Sequence, residues 1–243
     1  MTTTQPRDRL KRQARLSRVL MVLAGIFYAS FITEALLGFP LDPTVSYLSE
    51  YTSQASPVRP LFVATDLASS ALVFVGAVVL YRAARGARGV HAGARRWSWV
   101  QWIAAVGVVG SAAATVFDSF SPMRCAESLP HCPVAEELTR HDISSSLAGT
   151  FQAVLAVGAI LWFIRRMRWV RGVEGARTGV VRAVAAAAGV LFIVTTAVLM
   201  YQIEIQRLFG LGQRVQTFLA AVLIGLSGFI LSSPSRTAGG RAS

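Results

Sequence analysis

Charge is scarce in this sequence. Only 15% of its 243 residues are Asp, Glu, Lys or Arg, against about 25% in an ordinary soluble domain. The remainder is 53% hydrophobic, with a mean hydropathy of +0.52. That deficit argues against a soluble globular domain and for an integral membrane protein. Lysine is nearly absent: of 24 basic residues only Lys11 is lysine, which with the abundant alanine points to a GC-rich bacterial genome. There are three histidines and two cysteines, too few for an obvious zinc site, which combines three or four His, Cys or carboxylate ligands. No G-x-S-x-G surrounds Ser46, Ser49, Ser69 or Ser119, so a serine-nucleophile signature is missing. No repeat relates the two halves, and no segment is left over to bury a separate soluble core.

A net charge of +12 and a pI near 11.2 could suggest nucleic acid as a partner. The basic residues instead lie in short clusters bracketing apolar runs of spanning length, which makes them topology signals. The reading is therefore membrane lipids as partners, no nucleic acid, and protein partners undetermined.

Taken in order, residues 1–18 form a basic tail with Arg7, Arg9, Lys11, Arg12, Arg15 and Arg18, suited to anionic headgroups on the cytoplasmic side. The run from Val19 to Phe39 is longer than a signal-peptide core and has no small-x-small cleavage site, so it reads as a retained first span. It carries Glu34 near its far end and stops at Pro40. A polar loop follows, with room for a short interfacial helix around Ser46 to Tyr51. Further spans are expected at Pro60–Tyr81, Trp97–Phe117, Ile143–Ile164, Val180–Tyr201 and Gln213–Leu231. Trp97, Trp99 and Trp102 suit an interfacial aromatic belt, and Gly107, Ser111 and Thr115 form a small-residue stripe for close helix approach. The expected fold class is all-α, a six-helix transmembrane bundle over residues 19–232, with a disordered cytoplasmic tail over 233–243.

Six spans place both termini on one side. About 19 of the 24 basic residues fall on that side, leaving Arg59, Arg124, Arg140, Arg207 and Arg214 at the other face, and ten of the twelve acidic residues run the opposite way. The termini are thus expected in the cytoplasm and the protein in the bacterial inner membrane.

The stretch from Phe117 to Asp142 concentrates chemistry: it holds Asp118, Cys125, His131, Cys132, His141 and Asp142. Six residues separate Cys125 from Cys132, and Pro130 and Pro133 favour turns in a loop on the oxidising face. A local disulfide is the favoured pairing; free or metal-binding thiols are the alternative. Helix direction brings Glu34, Asp66, Asp118, His141, Asp142 and Arg214 to comparable depth at the outer face, and these are the candidate pocket residues. Asp66 would lie on the order of 10 Å inside its helix end, where an ionised carboxylate costs at least about 2.5–3.5 kcal/mol if it faces hydrocarbon. One reading makes Asp66 and Asp118 proton acceptors or metal ligands beside His141. The other makes Asp66 and Arg214 a buried packing pair, Asp142 or Ser144 a helix cap, and His141 a surface histidine. No cofactor is implied; zinc on Asp66, Asp118 and His141 is the one alternative, an under-supplied site because His91 is on the wrong side and His131 lies between the cysteines.

The order of Pro57-Val58-Arg59-Pro60-Leu61-Phe62-Val63-Ala64-Thr65-Asp66, Phe117-Asp118-Ser119-Phe120-Ser121-Pro122 with its cysteine pair, the histidine at helix 4, and Gly210-Leu211-Gly212-Gln213-Arg214 resembles a bacterial membrane family catalogued as domain of unknown function 998. The resemblance covers about Val19 to Ser232 and implies a multi-span membrane protein without an assigned reaction. A more distant likeness is to the seven-helix metal-dependent membrane hydrolases that include alkaline ceramidases. This chain departs from them in having six spans and no paired histidines in its last helix. The functional expectation is a non-enzymatic binder of a lipid headgroup or small polar ligand at the outer face, or a subunit of an envelope complex. An intramembrane hydrolase using Asp66, Asp118 and His141, and a small transporter coupled through Asp66, are the rivals. Transport would need polar residues through the cytoplasmic half, where helices 1, 2, 3, 4 and 6 carry essentially no charge.

Overall fold

The computed structural model describes residues 6–88, 97–132, 138–167 and 176–233. Within them the chain forms seven α-helices: α1 (Pro6–Tyr28), α2 (Ser30–Leu36), α3 (Arg59–Arg88), α4 (Trp99–Ser119), α5 (Arg140–Met167), α6 (Ala176–Glu204) and α7 (Phe209–Ser232). A 3-10 helix spans Leu48–Thr52, where an interfacial helix is expected. Helices α3 to α7 are each long and apolar enough to cross a membrane, and the pair α1–α2, bent by 49°, passes the same test when counted as one span, for five to six candidate spans among the described residues. The protein is a multi-pass helical membrane bundle. The helix boundaries fall within a few residues of the expected spans except at two places: α1 begins at Pro6, so the basic segment is already helical, and α3 continues seven residues past Tyr81 to Arg88. Of the tail at 233–243 only Ser233 is described; the remainder, with His91, Glu136, Glu137 and Glu174, lies outside the described residues.

The helices close a ring. α1 packs on α3 and α7, α3 on α4, α4 on α5, α5 on α6 and α6 on α7, while α4 and α5 also reach α7. The tightest seam, α4 on α5, uses the expected small-residue stripe: Gly107, Ser111 and Thr115 are all buried. A Cβ added at Gly107 would lie 2.4 Å from the Leu155 backbone nitrogen, so only glycine permits this approach. Between α1 and α3 two serine hydroxyls donate across the seam, Ser17 Oγ to Gly76 O and Ser69 Oγ to Ala24 O, each at 2.9 Å. Side chains such as Val190, Leu191 and Val194 of α6 remain exposed, as a lipid-facing surface requires.

The two ends of the ring differ. At the end carrying Arg18, the last carbonyls of α7, which have no partner inside the helix, are capped by neighbours: Gln101 Nε2 donates to Leu231 O and Ser233 O, both at 3.0 Å. Ser232 Oγ accepts from Arg18 Nε at 2.8 Å, and Ser233 Oγ from Trp162 Nε1 at 3.1 Å. At the opposite end, here the loop end, α2, the 3-10 helix and the disulfide loop gather. The expected single helix from Val19 to Phe39 is broken there. Ala29 leaves the helical region (φ −74°, ψ 60°), and after α2 ends at Leu36 the chain turns through Gly38 and Phe39, both with positive φ. No proline causes the break; the bend redirects Glu34 inward, where its partner waits.

Candidate functional site

Glu34 is fully buried and forms a two-pronged ion pair with Arg214. Arg214 Nε donates to Glu34 Oε2 at 2.7 Å, and Nη2 donates to Glu34 Oε1. The rest of the guanidinium is satisfied by main chain and hydroxyl: Nη1 donates to Pro43 O, Ser46 O and Gly210 O at 2.8 to 3.0 Å, and Nη2 to Ser46 Oγ at 3.3 Å. Tyr51 completes the cluster by donating its hydroxyl to Glu34 Oε1 at 2.8 Å. Burial pushes that phenol up to about 12, so it stays a donor at physiological pH. The arrangement clamps the loop 40–47 onto the start of α7. Gly210 is required there, since an added Cβ would meet Pro43 O at 2.6 Å. The expected pairing of Arg214 with Asp66 is therefore corrected: Glu34, brought in by the bend after Tyr28, takes the arginine.

Asp66 lines something else. A cavity of about 140 Å³ lies on the ring axis at the loop end, between Tyr28 and Ser30 at the α1–α2 break, Phe62 and Asp66 of α3, Thr115 and Asp118 of α4, Ser145, Ala148, Gly149 and Gln152 of α5, and Gln213, Gln216 and Thr217 of α7. The 3-10 helix closes it with Leu48, Ser49 and Thr52, and α6 contributes no lining residue. Twelve of these sixteen residues have polar side chains, within helices that are otherwise strongly apolar. Among the described residues Asp66 makes no hydrogen bond or ion pair.

Asp118, across the cavity, is held from behind. Its Oδ1 accepts from Ser144 Oγ and from Ser145 Oγ (3.0 Å), and lies 3.1 Å from His141 Nδ1. That imidazole contact is an ion-pair distance without hydrogen-bond alignment, for Nδ1 has no hydrogen-bond partner. His141 Nε2 stands 3.4 Å from Ser145 Oγ. His141 is buried, at 6% exposure, which corrects the surface-histidine reading; it does not itself line the cavity. The cap of α5 is also corrected: Thr139 Oγ1 accepts from Asp142 N at 3.2 Å while Asp142 Oδ2 accepts from Thr139 N at 2.7 Å. This is a reciprocal capping box, with Asp142 the returning partner and Ser144 engaged by Asp118. No group of three His, Cys or carboxylate side chains converges as metal ligands would among the described residues.

Cys125 and Cys132 are disulfide-bonded, and the loop they close is docked over the cavity's cover. Glu50, 1% exposed, accepts from Tyr47 N at 3.1 Å through Oε1 and from the Ser128 hydroxyl and backbone through Oε2. Gln54 N and Ala55 N donate to Met123 O and Arg124 O at 2.9 and 3.2 Å. The loop thus holds the 3-10 helix, and that helix covers the cavity.

A family model described as protein of unknown function (DUF998) matches residues 21–230, most of the chain, from the last part of α1 to near the end of α7. The chain belongs to the DUF998 family. No curated protein and no solved structure matches it. The DUF998 description names no reaction.

Six candidate residues thus separate into three roles. Asp66 and Asp118 face the cavity, Glu34 and Arg214 form the clamp, and His141 and Asp142 hold the start of α5. Glu50 and Tyr51, and the cavity residues Gln152, Gln213, Gln216 and Thr217, are not among the sequence candidates, and Ser46, weighed there only as a nucleophile, serves Arg214 instead. The spacing of Ser145, Gly149 and Gln152, and of Gln213, Gln216 and Thr217, at three or four residues was the available signal for an inward polar stripe. Removing one partner of a buried pair leaves the other unpaired, so Glu34→Gln and Arg214→Met should each cost about 3–5 kcal/mol. The double variant should cost clearly less than the sum, as measured by reversible unfolding in detergent. Additive losses would show that the two residues act independently.

Proposed function

We propose that this DUF998 protein is a non-enzymatic binder that holds a lipid headgroup or a comparably small polar molecule in the loop-end cavity. It does so from the outer face of a bacterial cytoplasmic membrane, with both termini in the cytoplasm. The cavity is the observation that carries the reading. Polar side chains inside a membrane bundle are costly and need a reason, and here twelve of them surround about 140 Å³ of space, Ser145 and Gln152 hydrogen-bonded to their neighbours Asp118 and Tyr28 and Asp66 without a partner among the described residues. That space is well below the roughly 300–1,000 Å³ of sites that enclose drug-sized ligands. It accommodates a headgroup, with acyl chains left beside the exposed apolar flanks of the helices. Two features support the orientation: the bias of arginine toward the end bearing the termini, and a disulfide at the loop end, since disulfides persist on the oxidising side.

Gly149 lines the cavity and an added Cβ there meets nothing within 4 Å, so the side chain of Gly149→Leu starts in open space and takes up part of the cavity. Native mass spectrometry of the purified protein should show a bound species in the parent and its loss in Gly149→Leu, with the thermal midpoint in detergent unchanged. Equal retention in both would remove the basis for a binding function. For the orientation, Arg85→Cys should resist a membrane-impermeant maleimide in intact cells and react once the cells are broken; labelling of intact cells would invert the topology.

A further inference from the structure

The hydrogen-bonding groups around the cavity are lopsided toward acceptors. We infer from them that its ligand presents an organic ammonium, either as the amine of an ethanolamine-type lipid headgroup or as a free small amine. The inference rests on the cavity being the binding site proposed above.

No arginine, lysine or histidine lines the space, and the cations nearest to it are committed elsewhere. Arg214 is saturated by Glu34, Ser46 and the carbonyls of Pro43 and Gly210. Arg59 donates to Thr52 O at 3.0 Å and Ser119 O at 3.3 Å. His141, 3.1 Å from Asp118 Oδ1, stands behind that carboxyl and outside the lining, so an anionic group such as a free phosphate would enter beside two carboxyl groups with no cation in the wall to meet it, at a large desolvation cost.

The neutral groups point the same way. Thr196 Oγ1 gives its proton to Phe192 O at 2.8 Å, so it can only accept from Gln216, whose Nε2 donates to it at 2.8 Å. That orientation leaves the Gln216 Oε1 as an acceptor. The Ser145 hydroxyl proton is spent on Asp118 and the Thr52 proton on Ser49 O, so both hydroxyls face a ligand as acceptors. Asp66 has both oxygens unpaired among the described residues, and hydrogen bonds reach Asp118 through Oδ1 alone. Gln152 Nε2 is spent on the Tyr28 hydroxyl, which leaves Gln152 Oε1 as a further acceptor. Two groups run the other way: the Tyr28 hydroxyl keeps its proton to donate, and Gln213 Oε1 is taken by Leu48 N at 2.6 Å, which frees its Nε2 as a donor. An ammonium carries donors and no acceptor, which matches this set, and the rings of Tyr28 and Phe62 in the wall add favourable surface for a cation.

The test uses the full-length protein in nanodiscs of equal phosphatidylethanolamine and phosphatidylglycerol, with retained lipid read by native mass spectrometry. Phosphatidylethanolamine should be enriched at least tenfold over phosphatidylglycerol. Asp66→Asn should abolish the preference and Asp66→Glu should keep it. Gln216→Met, which deletes an acceptor without touching a carboxyl, should weaken the preference and serves if Asp66→Asn does not fold. Excess free ethanolamine that displaces the lipid identifies the amine alone as sufficient; failure to displace it, with the preference intact, assigns the lipid headgroup as the source. Equal retention of the two lipids, or a preference unchanged in Asp66→Asn, overturns the ammonium assignment. If the retained lipid is instead indifferent to Gly149→Leu, the cavity reading itself fails.

Discussion

A guanidinium with about a tenth of its side chain exposed at the end of a membrane bundle needs acceptors for its N–H groups, and the loop end of this protein is shaped by that demand. Arg214 obtains them from Glu34, from Ser46 and from the main-chain carbonyls of residues 43, 46 and 210. To deliver them the chain breaks after Tyr28 so that Glu34 turns inward, reverses through Gly38 and Phe39, and lays residues 40–47 against a glycine at the start of α7. Tyr51, hydrogen-bonded to the same carboxylate and stacked on Phe62 at 4.7 Å, extends the clamp into the 3-10 helix. A pair this well satisfied organises its surroundings more than it adds stability, because desolvation offsets much of the ionic attraction.

What the clamp positions is the cover of the cavity. Leu48, Ser49 and Thr52 close it from the loop end, and the opposite side of the same 3-10 helix is fastened to the disulfide loop through Glu50 and Ser128. Two independent fastenings therefore hold one short helix, the ionic clamp toward α7 and the loop contact toward α4. Below the cover the wall is polar and rich in acceptors, whereas the α4–α5 seam beside it is closed by small residues. The same two helices are thus tight at Gly107 against Leu155 and open toward the loop end, where Thr115, Asp118, Ser145 and Gln152 face the cavity.

The six spans were legible because each is a long apolar run bounded by arginine, proline or glycine, and so was the α4–α5 seam, from the four-residue spacing of Gly107, Ser111 and Thr115. The bend after Tyr28 was not, since Ala29 and Ser30 carry no breaking signal and the cause lies far along the chain in Arg214. Depth along the helices brought Asp66 and Arg214 level but said nothing of their angle around the ring axis, and the angle decided that Glu34 would take the arginine. His141 read as exposed because its burial depends on Asp118 of another helix. The polar stripes of α5 and α7 were present in the sequence, but glutamines and threonines in a span are weak signals until their shared face is seen.

If the Glu34–Arg214 clamp holds the cover, its loss should loosen one segment alone. Hydrogen exchange read by mass spectrometry on the parent and on Glu34→Gln tests this most directly. Protection should fall across residues 41–53 while α4 and α5 exchange as before. Unchanged protection over 41–53, or a loss spread evenly over every helix, would contradict the account.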